Sequence, residues 1–253
     1  KTATLKGARI GVARAATGWH AGVDARFEAA LAVLKREGAV LVDISKGAER
    51  RAIGEAEGIV LFTELKADLN AYLASTPATV KTRTLADLIA FNKANAGAEM
   101  GLFGQDGFER AEATKGLSDP EYLKARETSL RLAGKESIDR LLAEHKVEAI
   151  IAPTAPPAWF IDPVNADQAP FGGIGGLAAV AGYPHLTVPM GAVRGLPVGL
   201  SFIGPAWSEA KLLALGHAFE KATPGLKPIP AFIDRVEDSA EVQRLFAPAR
   251  PAF

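Results

Sequence analysis

The sequence predicts a mixed α/β fold, a sheet flanked by helices, and three observations carry that expectation. Four short runs, ARIGVA from Ala8, VLVDI from Val40, EAIIA ending at Ala152 and PVGLSFI from Pro197, are too continuously apolar to leave one face in water. Strands of that kind are covered on both sides. A helical pattern lies between the first two runs, which makes them a β-α-β unit. Finally, residues 149–204 alternate strand character (149–152, 185–188 and 197–202) with Gly/Pro segments, which turn sharply or let backbones approach closely. The sheet is expected to be mixed and to contain parallel pairs.

In chain order, residues 8–13 read as a buried strand, and residues 24–37 as a helix with Phe27, Leu31 and Leu34 on one face, stopped by Gly38. The Gly/Ala/Trp segment 14–22 between them is a loop at the carboxyl end of the first strand, where open α/β sheets tend to bind ligands; its plain alternative is a connection carrying Trp19. Residues 40–44 are the second strand. Residues 55–74 are helical, and a further helix follows Thr84, with Leu85, Leu88, Ile89 and Asn92 at helical spacing. Thr84 can cap it, with Asp87 standing in for the usual Glu three residues on. Residues 101–116 are less regular. SDPEY from Ser118 is a helix start with Pro120 in the first turn, and the helix runs to about Lys146 with a break near Gly134. Residues 147–152 return to the sheet. Ser208 opens a last helix bearing Leu212, Leu215, Phe219 and Ala222 on one face. Residues 1–223 form the body, and residues 224–253, rich in Pro and Ala, form a tail that packs on the surface.

Composition excludes several classes. Lys+Arg and Asp+Glu are both 29 of 253 residues, and no basic run is interleaved with aromatics, so no nucleic-acid or anionic-membrane surface is expected. The chain has no cysteine, hence no disulfide framework, thiolate nucleophile or Cys-ligated zinc. No apolar run approaches the ~20 residues of a membrane span. The chain opens on Lys1, which leaves a leader and the compartment open.

Several motifs fail on inspection. Gly173, Gly175 and Ala178 spell G-x-G-x-x-A, but a Pro/Asp/Gln loop stands where a dinucleotide fingerprint needs a strand, so the glycines read as close packing. Gly199, Ser201 and Gly204 approach a nucleophile elbow, with the second glycine one position late and the serine inside a strand-like run. His20, His145, His185 and His217 have no metal-ligand spacing, and His185 is not read as a base. No metal or cofactor is expected.

The segment AGYPHLTVPMG followed by GLPVGLSFIG resembles the C-terminal core of the amidase signature hydrolases, most of all the peptide amidases, with the amidase component of the transamidosome more distant. TELKADLNAYL, TLADLIAFN, FGQ, DPEYLKAR and IIAPT extend the resemblance over most of the chain, which looks like the C-terminal portion of that fold. In GGIGGLAAVAG, Ile174 and Leu177 occupy the places where the family's glycine-bedded serines would stand, so that echo is coincidental.

The resemblance implies an amidase that hydrolyses carboxamides, including C-terminal peptide amides, through an acyl-enzyme. It also implies that the nucleophilic serine, the serine with a cis peptide and the lysine lie in an N-terminal half outside this chain, which has no catalytic residue of its own. Two pocket residues carry over by position. Tyr72 matches a tyrosine lining the substrate site of the amidotransferase relatives, and Arg110, seven residues after Phe103, matches an arginine that anchors a substrate carboxylate. Their plain alternatives are a helix-surface aromatic and a solvated charge. Peptide amidases need not keep the arginine, since their substrates end in an amide. Near Gly172 and Gly173 those relatives carry an acidic anchor that this chain lacks, which argues against glutamine as substrate. Expected partners are a small amide or amidated peptide, the N-terminal half of the same enzyme and a second copy in a homodimer, with no nucleic acid or membrane. The alternative from another class is a non-catalytic α/β module that binds a small ligand.

Overall fold

Apolar β-rich runs separated by amphipathic helices produce one sheet with helices on both faces. In the computed structural model, which describes residues 3–227 apart from 46, 49, 160, 161, 163, 165–169 and 171, the strands are β1 (Arg9–Ala13), β2 (Val40–Ile44), β3 (Ala149–Pro153), β4 (His185–Val193) and β5 (Leu196–Ile203). Their order is β2-β1-β3-β5-β4. β1 runs parallel to β2 (Ile10 opposite Leu41) and to β3 (Gly11 opposite Ile150). β5 is antiparallel to β3 (Ile151 opposite Phe202) and to β4 (Thr187 opposite Ser201), with a bulge between Pro189 and Gly191. The sheet is therefore mixed, as expected. The physical reason is the two-residue connection after Val193: a link that short closes a hairpin and cannot make a parallel crossover.

The helices are α1 (Ala21–Arg36), α2 (Arg50–Ser75), α3 (Leu85–Ala94), α4 (Ala96–Glu99), α5 (Asp106–Glu112), α6 (Pro120–Leu130), α7 (Arg140–His145), α8 (Gly175–Ala181) and α9 (Glu209–Ala222). One sheet face, through Ile10, Val12, Ile151, Leu200 and Phe202, packs on Phe27, Leu31 and Leu34 of α1 and on Leu212, Leu215 and Phe219 of α9. Phe202 and Phe219 meet edge to face at 6.4 Å between ring centres. The other face, through Ile44, Ile150, Ala152 and Ile203, packs on Ile138, Leu141, Ala178 and Ala181. Outside it, α2 and α6 share Ala56, Val60, Tyr122 and Ala125, and the Tyr122 hydroxyl donates to Glu64 at 2.7 Å. Lys66 ties α5 to α2 by donating to the Glu112 carbonyl at 2.6 Å.

Helix ends follow their capping chemistry. Asp87 N–H donates to Thr84 Oγ1 at 3.1 Å while Thr84 N–H donates to Asp87 Oδ2 at 3.0 Å, the reciprocal box the sequence suggested. The Arg83 N–H, then the Thr84 hydroxyl and N–H, bond the Asp87 carboxyl and hold it below its usual range. Asp119 caps α6, with Pro120 in its first turn. Three expectations are corrected. Residues 101–116 contain the helix α5. The glycine segment after Ile174 is itself a helix, α8. Near Gly134 there is no break: the helix widens to π geometry over Arg131–Asp139 and continues into α7. Such widening absorbs a local mismatch without ending the helix. The Tyr183 ring packs over Gly134, and its hydroxyl donates to Asp139 Oδ2 at 2.8 Å, which pushes the Tyr183 pKa up. The surface tail expected over 224–253 lies, beyond Lys227, outside the described residues.

Candidate functional site

The topology itself marks a crevice. From β1 the chain crosses over one face, through α1, to β2; it reaches β3 over the opposite face, through α7. The chain leaves β3 for α8, on that opposite face, so the connections leaving the carboxyl ends of β1 and β3 diverge, and in open α/β sheets such a switch point is where ligands bind.

Into that crevice the chain inserts Gly172–Ile174. A Cβ on Gly172 would sit 2.2 Å from the Trp19 ring, and one on Gly173 would sit 2.1 Å from the Thr154 carbonyl oxygen. Only glycine fits between these walls. Trp19 is held in turn by its indole N–H, which donates to the Ala16 carbonyl at 2.6 Å, so the segment 14–22 does more than connect. Arg50 Nη2 donates to the Gly173 carbonyl at 2.9 Å. Behind this loop lies a cavity of about 290 Å³, walled by Ala13, Ile44, Ile53, Leu141, Ile174 and Leu177 and bordered by Arg50 and Glu57. Burial, and then the charge of Glu64, raise the Glu57 carboxyl above its ordinary pKa.

A second feature crosses β4, β5 and the end of β3 on the same face of the sheet. His185 Nε2 lies 2.6 Å from Ser201 Oγ, Ser201 Oγ donates to Thr154 Oγ1 at 2.9 Å, and Thr154 Oγ1 lies 2.6 Å from Thr187 Oγ1. A serine has one hydroxyl proton, and here it goes to Thr154. His185 must therefore donate to Ser201 through Nε2–H and cannot act as its base. Ser201 is fully buried, so it is a structural strand serine and not an activated nucleophile. Gly199 makes the cluster possible, since a Cβ there would lie 2.5 Å from Thr187 Oγ1 and 2.9 Å from Thr154 Oγ1.

Partial burial of its ring lowers the His185 pKa below 6.5. As pH falls through 6.5 the unfolded chain takes up the proton before the folded chain does, so stability present above that pH is lost below it. Urea unfolding at pH 7.5 and 5.5 is expected to show a larger loss for the natural chain than for His185→Asn; equal losses would remove this contribution.

The two residues carried over from the resemblance stand apart from both features. Tyr72 is 65% exposed near the end of α2. Arg110 lies on α5 with its guanidinium 4.0 Å above the Phe62 ring. Phe62 and Tyr72 are ten positions apart on α2, a rise of about 15 Å, so this chain does not bring Tyr72 and Arg110 together. The hydroxyl cluster was missed in the sequence. Its members are ordinary strand residues until strand register aligns them.

Comparison with known proteins follows the same architecture. The amidase family model matches residues 1–213. A probable amidase of Arabidopsis thaliana is 32% identical over 238 residues, covering 92% of this chain and 41% of the relative. A glutamyl-tRNA(Gln) amidotransferase subunit of Halorhodospira halophila is 30% identical over 242 residues, covering 90% and 47%. The structure of native peptide amidase from Stenotrophomonas maltophilia is 45% identical with a TM-score of 0.80, covering 90% of this chain and 45% of that one. The chain thus spans about half the length of these relatives.

Proposed function

The chain belongs to the amidase family, and we propose from that membership that it is the C-terminal part of an amidase hydrolysing carboxamides through an acyl-enzyme, with C-terminal peptide amides as substrates. The observation that carries the reading is the likeness to peptide amidase, at 45% identity over 90% of this chain. The absence of an acidic residue at Gly172 and Gly173 favours an amidated peptide over glutamine.

Peptide amides resist hydrolysis because the nitrogen is a poor leaving group and water a poor nucleophile. A serine attacks only when a base removes its proton, and a lysine can do so only where its surroundings hold it neutral. Ser201 is buried and its proton is committed to Thr154, so it cannot fill that role. In this reading the serine pair and lysine come from an N-terminal half, and this chain supplies a wall of the pocket, Tyr72 included. The cavity beside Gly173 also suits the rival reading, a module that binds a small ligand without chemistry.

One assay separates the two. A protein extended by the proposed catalytic half is expected to release ammonia from an amidated peptide, while this chain alone releases none. In the extended protein Tyr72→Ala should raise KM by about tenfold with kcat little changed, as for a residue that binds and does not react. Ammonia release by this chain alone, with an acyl group on one of its serines, would overturn the reading.

A further inference from the structure

We propose that the groove over the Thr154–Thr187 pair is a binding site for a neutral carboxamide or peptide group. The proposal rests on the amidase reading only in choosing peptide amides over other neutral amides.

The groove, about 400 Å³, runs along the ends of β3 and β5 and the middle of β4. Its floor is Thr154, Thr187 and the bare backbone of Gly199, and its rim carries Pro156, Pro189 and Pro197. Prolines have no N–H, and the Thr154 N–H is already spent on the Gly199 carbonyl at 2.9 Å. The side-chain polar chemistry of the floor reduces to two hydroxyls.

Those two hydroxyls have two protons between them. One lies in the bond that joins them at 2.6 Å. The Ser201 proton also points to Thr154, so none of the pair's protons is needed inward. Whichever threonine donates to the other, one O–H remains for a ligand, with lone pairs beside it. A free donor next to free acceptors complements the C=O and N–H of an amide. The His185–Ser201 bond behind Thr154 orders this arrangement before any ligand arrives, which lowers the cost of binding.

Charge sets the rest of the specificity. Lys227 is the one charged residue lining the groove among the described residues, and its ammonium is paired with Glu220 at 3.0 Å. With no carboxylate among the described lining residues and the single ammonium paired, the groove favours an uncharged group over a cation.

The test is titration of this chain with N-acetyl-leucinamide and with its free acid, N-acetyl-leucine, following threonine methyl signals by NMR. The amide is expected to produce saturable shifts at Thr154 and Thr187, with weaker binding of the acid. Thr187→Val should weaken amide binding about tenfold, the loss of one hydrogen bond, and Thr187→Ser should restore it. Thr187 is exposed, so neither change disturbs the core. Unmoved threonine signals, equal binding of amide and acid, or unchanged affinity in Thr187→Val would each overturn the proposal. The readout is binding by a chain that performs no hydrolysis. Unmoved threonines alongside amide cleavage by the extended protein remove only this site, and saturable shifts without cleavage remove only the amidase reading.

Discussion

Gly173→Ala is expected to destabilise the chain by about 2–5 kcal/mol, a large part of the ~5–15 kcal/mol that holds a typical domain. Two costs add. Gly173 has φ +86°, a conformation that costs a residue with a Cβ roughly 1–2 kcal/mol. The new Cβ would also fall 2.1 Å from the Thr154 carbonyl oxygen and 2.8 Å from its carbonyl carbon. Backbone atoms cannot swing aside as a long side chain can, so β3's exit or the glycine loop must shift, at the ~1–3 kcal/mol typical of overpacking. The shift would pull Gly173 away from Arg50 and open the cavity wall. Gly176 is the control. It lies in α8 with no atom within 4 Å of its Cβ position, and Gly176→Ala should stabilise by about 0.5–1 kcal/mol. Urea unfolding of the two variants checks the contrast; a Gly173→Ala chain as stable as the natural one would mean that the loop is free to relax.

The fold was legible where short-range physics decides it. Continuous apolar runs located β1, β2 and β3, and helical spacing placed Phe27, Leu31 and Leu34 under α1 and Leu212, Leu215 and Phe219 under α9. The Thr84–Asp87 pair announced a helix start from two side chains. What failed depended on partners distant in sequence. Gly134 reads as a breaker in isolation, but the Tyr183 ring packs against it, 3.3–3.6 Å from where a Cβ would stand, and the helix persists. Likewise nothing in GGIGGLAAVAG declares a helix, because glycine is a poor helix former and α8 is held by packing of Ala178 and Ala181 on the sheet.

The site was legible only in part, and for the same reason. The resemblance pointed to Tyr72 and Arg110 from local motifs. It could not show that Thr154, Thr187 and Ser201 form one cluster, since their meeting depends on the pairing of Thr187 with Ser201 and of β3 with β5. A one-residue slip in either pairing would send those hydroxyls to opposite faces.

This chain on its own is expected to self-associate, doubling its mean mass or more as concentration rises. The helical layer outside the sheet leaves large apolar side chains in water: Leu61 on α2, Phe91 on α3, Leu102 and Phe103 before α5, and Leu123 on α6, each at least 43% exposed. Single exposed apolar residues are ordinary, but this many on adjoining helices of one layer are expected to seek cover. Among the described residues β4 ends the sheet order, paired with β5 on one side only. Pro189 and the adjoining bulge blunt the middle of that edge, as edge strands often do, and leave the stretch from His185 to Val188 able to pair. Balanced charge, 29 positive against 29 negative, offers little repulsion to oppose contact. If the N-terminal half proposed above covers the helical layer, adding it in trans should suppress self-association and bind in its place. Leu61→Glu combined with Leu123→Glu should also return the chain toward monomer, with little change in unfolding midpoint because both side chains are exposed. Light scattering over a concentration series decides the matter: a constant monomer mass throughout would show that this surface tolerates water and that the proposed covering half has no need to sit there.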